Sequence, residues 1–285
     1  MSSPGNRRKI FKSEASEILK NNYLSCILAS IVAIVAFAGL IGLKNAYLYA
    51  AYSYLPADGY KIFSVVSEAV TVLLCVPVAY GYFEWMAKLY INKSAFPIYE
   101  MFGIFSSLKK IARSLVFFLE MLLKIIAYYI IPAAIFLLYL FYREVFFDFL
   151  GFGASDEVLA GISDTFVGLI FLCTFIFATV AVSKYSAAFY ILISDENISV
   201  RKAFAMSKKY MRGKKGEYAA LVISFLPLFI LSFFTFAVAF AAYVMPYFAI
   251  SLMAYANYIY ITNDAKHKES FDAAVDYENA ELKEN

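Results

Sequence analysis

Apolar runs about 20 residues long, separated by shorter charged stretches, dominate this chain. A helix needs about 20 mainly apolar residues to cross a hydrocarbon core about 30 Å thick, because each residue advances about 1.5 Å. Residues 23–43, YLSCILASIVAIVAFAGLIGL, meet that requirement, as do residues 62–83, 115–142 and 166–190. Residues 218–243 form a fifth run, and a tight Val244-Met245-Pro246 turn is expected to separate it from a sixth at 247–261. The sixth run is short, so a re-entrant segment also fits it. A complete crossing is preferred because its apolar residues continue to the charged tail. The pattern predicts an all-α polytopic membrane protein of about six transmembrane helices. Residues 1–262 should form one integral membrane domain, and 263–285 an acidic, flexible cytosolic tail.

Composition agrees with this reading. The 285 residues are 62% hydrophobic and 16% charged, whereas soluble domains use about 45–50% apolar and about 25% charged residues. The net charge of +3 says less than the placement of the charges. Short loops rich in Lys and Arg stay on the cytosolic side. Arg7, Arg8, Lys9, Lys12 and Lys20 precede the first span, and Lys88, Lys93, Lys109, Lys110 and Arg113 follow the second. Arg201, Lys202, Lys208, Lys209, Arg212, Lys214 and Lys215 follow the fourth, while Lys44, Lys61 and Arg143 are the main cations of the opposite loops. Both termini are therefore expected in the cytosol, with the first span retained as a helix because it exceeds the usual signal-peptide core.

Between the spans, amphipathic stretches are expected to lie at the membrane face. Phe11, Ala15, Ile18 and Leu19 give the N-terminal segment one apolar stripe, suited to an interfacial helix or to a continuation of the first span. In the central basic loop Ser199 can cap a helix carrying Ala203, Phe204, Met206 and Tyr210 on its apolar side. Gly213 and Gly216 should then let the chain turn into the fifth span. The loop after the second span has a similar outline at an offset of 102 residues, which sets Pro97 against Ser199 and Phe102 against Phe204. Both loops join helices in the same order, so a duplication would not be an inverted repeat.

Ionisable groups within apolar runs are the candidate functional residues, because placing a charge at a helix centre costs about 2.5–3.5 kcal/mol on insertion scales. Glu68 lies in the second span and is either a proton or cation position or a protonated or hydrogen-bonded carboxyl packed between helices. Glu120 and Lys124 are spaced i,i+4 in the third and are expected to form an ion pair near the headgroup zone. Arg201, Lys202, Lys208, Lys209, Arg212, Lys214 and Lys215 are candidate contacts for anionic headgroups or an acidic partner. Pro77, Pro132 and Pro227 should bend their helices. Cys26, Cys75 and Cys173 have no metal-ligand spacing, and His267 stands without neighbouring ligands, so neither a metal nor a cofactor is expected. No P-loop, HExxH or nucleophile-elbow pattern points to an enzyme. The basic loop lacks an aromatic platform for nucleic acid.

Three stretches resemble the DUF975 family of bacterial integral membrane proteins: FYILISDENISVRKAFAMSKKYMRGKKGEY at 189–218, YVMPYFAISLMAYANYI at 243–259, and GYFEWMAKLYINKSAFPIYEMFGIF at 81–105. Where the family usually places a proline after the acidic turn residue, this chain has Asn197. The resemblance implies a plasma-membrane location and brings no catalytic residues. The expected function is a non-enzymatic membrane protein that organises lipids, a membrane-protein partner or a second copy of itself. The alternative is a transporter or transport accessory built around a polar crevice near Glu68.

Overall fold

The computed structural model describes residues 4–149, 157–195, 197–235 and 239–263. The predicted acidic tail beyond 263, including His267, lies outside them. Among the described residues the structure is all helical, with ten α-helices: α1 Pro4–Asn21, α2 Tyr23–Tyr52, α3 Ala57–Asn92, α4 Leu108–Phe149, α5 Glu157–Val182, α6 Ala188–Ser194, α7 Val200–Tyr210, α8 Lys215–Ile223, α9 Leu226–Phe234 and α10 Met245–Asn263. A 3-10 segment, Ile98–Ser106, forms the first elbow after α3, and α7 forms the second. Six segments are long and apolar enough to cross a bilayer: Tyr23–Tyr52, Ala57–Asn92, Leu108–Phe141, Val167–Ser194, Lys215–Ser232 and Phe240–Asn263. The protein is a multi-pass helical membrane protein.

These helices bury their side chains unevenly. In the first five spans no more than 22% of the most apolar stretch is buried, against 61% in the last. Leu137, Leu138, Phe141 and Phe177 are largely exposed to the surroundings, as hydrocarbon solvent permits. The last helix is instead the centre of the packing, with Ala249, Ile250, Ala254, Tyr255 and Ile259 buried. Around it lies a core rich in aromatics, including Trp85, Tyr82, Phe204 and Phe225.

The apolar stripe of α1 is buried as Phe11, Ala15, Ile18 and Leu19, but it covers protein instead of lipid. Phe11 meets Tyr255 and Tyr258 of α10 at ring-centroid distances of 5.6 and 5.5 Å. A break in the fifth span explains the docking of α1. Pro227 has no amide hydrogen and disturbs the preceding turn, so the chain is helical in two pieces, α8 and α9, with a turn at Ser224 and Phe225. There the Leu228 amide donates to Phe225 O at 3.0 Å, and the Lys12 ammonium donates to Ser224 O at 3.0 Å. Lys12 also lies 4.3 Å from the Phe225 ring centroid, while α3 and α4 run through Pro77 and Pro132 without interruption.

Several boundaries differ from the sequence expectation. Val244, Met245 and Pro246 form no tight turn: Phe240–Val244 is a π-helical turn that leads directly into α10. Pro246 therefore follows a helical turn whose register is π and not α, and the helix runs on through it. Gly213, with φ of 78°, makes the turn after α7, whereas Gly216 is already inside α8. The two elbows share one register. Asn92 and Ser194, which end α3 and α6, are 102 residues apart, as are Ile98 and Val200, which begin the elbows.

Candidate functional site

A crevice of about 680 Å³ opens among the spans, bordered by α2, α3, α4, α6, α8 and α10. Its wall is mostly apolar, with Phe37, Ile41, Val72, Phe117, Met121 and Leu252 among the lining side chains. The helical packing of α2 against α3 puts Ser30 beside Tyr82, 3.0 Å between hydroxyls, and Lys44 beside Glu68, with Nζ 2.6 Å from Oε2. Lys44 had been placed in a loop on sequence grounds, but α2 continues to Tyr52 and carries it inside the helix. Glu68 is not enclosed between helices. Its side chain is 62% exposed and paired with Lys44, which is itself only 15% exposed. Both line the crevice.

Glu120 and Lys124 form the expected ion pair on α4. The structure adds what the spacing could not show: Arg201 Nε reaches the other Glu120 oxygen at 3.1 Å, so the pair is tied to the second elbow. The Lys124 ammonium lies 4.6 Å from the Phe204 centroid and 5.5 Å from that of Tyr185, a cation–π arrangement. Lys184 donates to the Tyr128 hydroxyl, and Ser207 donates to Lys184 O at 2.9 Å. Thus Glu120, Lys124 and Arg201 come together, whereas Glu68 belongs to the separate crevice with Lys44.

The elbow α7 is built as its pattern requires. Ser199 accepts from the Lys202 amide at 3.4 Å, and Val200, Ala203, Phe204, Ser207 and Tyr210 are buried on one side. This leaves Arg201, Lys202, Lys208, Lys209 and Arg212 exposed. Lys214 and Lys215 are less so. Lys214 Nζ lies 3.3 Å from Thr262 Oγ1 and 4.7 Å from the Tyr258 ring centroid. Burial lowers its ammonium below the ordinary lysine value, Glu217 partly opposing and Arg7 reinforcing the effect. Burial also lowers that of Lys12, with the Arg8 charge adding to it.

Sequence reasoning did not single out Arg113. Its guanidinium donates to Leu192 O and Ile198 O, each at 3.0 Å, and to Asp195 O at 3.4 Å. It therefore ties the last turn of α6 to the turn that leads into α7. Asp195 itself gave a weak signal, since an acidic turn after a helix marks an end that needs capping. A second, more polar cavity of about 280 Å³ lies beside Arg113, between the first elbow and the end of α6, with Lys88, Lys109 and Lys110 in its wall. Among the described residues no group of three or more His, Cys, Asp or Glu side chains could hold a metal ion.

The family model described as "Protein of unknown function (DUF975)" matches residues 1–263. The chain belongs to the DUF975 family. Neither the curated proteins nor the solved structures contain a match. The matched residues of this DUF975 protein include every span, both elbows and the N-terminal helix that docks on α10.

Proposed function

We propose that this DUF975 protein is a non-enzymatic plasma-membrane protein that organises lipid, holding an apolar chain in the crevice between its spans. The carrying observation is the crevice itself: about 680 Å³, mainly apolar, with Lys44 and Glu68 on its wall. Ligand cavities typically measure about 300–1,000 Å³ and combine an apolar lining with a few placed polar groups. Within a bilayer, hydrocarbon chains are the abundant species able to fill such a space without a desolvation penalty. The exposed cations of α7 support the same reading, since each basic residue near an anionic surface contributes about 1 kcal/mol. That role places the elbows and both termini in the cytosol.

The test is purification in a gentle detergent followed by mass spectrometry of retained lipids. Wild type should carry lipid reproducibly, and Ala79→Phe, which projects a ring into the crevice, should carry much less while remaining monodisperse. A wild-type protein that retains no lipid refutes the reading. Orientation is checked by a membrane-impermeant thiol label applied to intact cells, in a background lacking the native cysteines. It should react with Tyr54→Cys and spare Arg212→Cys.

One observation favours a second reading, a transporter or transport accessory: the Lys44–Glu68 pair lies on the crevice wall. Under that reading Glu68→Ala abolishes flux of a solute in a protein that still folds. Under the lipid reading Glu68→Ala leaves lipid retention largely intact.

A further inference from the structure

We infer that the polar cavity between the first elbow and the end of α6 binds the phosphate of an anionic lipid whose chain lies in the apolar crevice. This rests on the lipid reading above and adds the headgroup chemistry. The cavity wall contains Lys88, Lys109, Lys110 and Arg113 against one carboxylate, Glu84. Two of the four cations are already engaged. Lys88 pairs with Glu84 at 2.8 Å, and Arg113 donates to Leu192 O and Ile198 O. Among the described residues no carboxylate lies within ion-pair distance of Lys109 or Lys110, which occupy the first turn of α4. The aligned peptide dipoles at that helix start add to their positive field. A cavity with this excess of positive charge selects an anion.

Tyr80 stands between this cavity and the crevice, for it lines both. On the crevice side its ring packs edge-on against Phe189 and Phe117, at centroid distances of 5.0 and 6.0 Å. A molecule with a phosphate among Lys109 and Lys110 and a hydrocarbon chain passing the Tyr80 ring satisfies both cavities at once. A soluble phosphate compound satisfies only the smaller one, leaving the adjoining apolar wall without an occupant.

The experiment offers the full-length protein in detergent equal amounts of phosphatidylglycerol and phosphatidylcholine with identical chains, and reads the bound lipid by native mass spectrometry. Wild type should prefer phosphatidylglycerol by about thirtyfold, the order expected for two basic residues near a headgroup. Lys109→Ala/Lys110→Ala should bring the ratio close to one without reducing total lipid. Lys9→Ala/Lys20→Ala, which removes equal charge elsewhere, should preserve the preference, and Ala79→Phe should remove both lipids. Equal retention of the two lipids by wild type, or an unchanged preference in the Lys109/Lys110 variant, overturns the inference and leaves the crevice reading standing. Absence of both lipids from wild type overturns the crevice reading instead. If inorganic phosphate stabilises lipid-free wild type against heat and no preference for phosphatidylglycerol exists, the site serves a soluble phosphate compound and the lipid assignment fails.

Discussion

Adding a methyl group at Gly81 tests how the first elbow is seated. A Cβ built at this position would lie 3.1 Å from the carbonyl carbon of Met101 and closer still to its oxygen, both atoms of the elbow backbone. Ordinary carbon contacts begin at about 3.5 Å, so the elbow would have to retreat by on the order of 1 Å. No side-chain rotation relieves the clash. Overpacking of this kind costs about 1–3 kcal/mol, against a gain of about 1 kcal/mol from replacing glycine by alanine in a helix. The clash is with backbone, so the upper part of the overpacking range applies and Gly81→Ala should be destabilising overall. Gly42→Ala is the control, because a Cβ there meets nothing within 4 Å and only the propensity gain remains. Thermal unfolding in a gentle detergent, followed by loss of the monodisperse species, should rank Gly42→Ala at or above wild type and Gly81→Ala below it. A Gly81→Ala protein that melts at or above wild type would refute this account of the contact between α3 and the elbow.

Arg113→Ala should cost about 1.5–3 kcal/mol, the worth of hydrogen bonds from a charged group, and should speed amide exchange specifically around residues 192–200, with Arg113→Lys recovering part of the protection. Glu120→Ala should destabilise more than Arg201→Ala, since it strips a carboxylate from both Lys124 and Arg201. The Glu120–Arg201 coupling in a double-mutant cycle should stay below about 1 kcal/mol because Arg201 is exposed. Between their lowered values and the ordinary 10.5, Lys12 and Lys214 bind fewer protons in the folded chain than in the unfolded one. Their contribution to stability therefore rises with pH across that window and is lost as pH falls through it. The melting temperature of wild type minus that of Lys12→Met/Lys214→Met should increase from pH 8 to pH 10.5, and a constant or decreasing difference would contradict the burial of these two ammonium groups.

The helical class and the number of spans follow from the sequence by itself, because bilayer thickness fixes how long an apolar run must be whatever it packs against. The apolar stripes of α1 and α7 were legible for a similar reason: Phe11, Ala15, Ile18 and Leu19, or Ala203, Phe204 and Tyr210, share a face once the segment is helical. What covers a stripe is a different matter, decided by the tertiary structure. The α1 face meets α10 because Pro227 breaks the fifth span and presents Ser224 O to Lys12. Lys44 looked like a loop residue since hydropathy falls there, yet a helix can extend past its apolar run, and only the α2–α3 register brings it to Glu68. Pro246 was read as a break because local sequence does not show that the turn before it is π-helical. The crevice, the elbow cavity and the Tyr80 ring shared between them join side chains from distant parts of the chain. Such a cavity is set by how helices approach one another, a quantity that no local pattern of residues encodes.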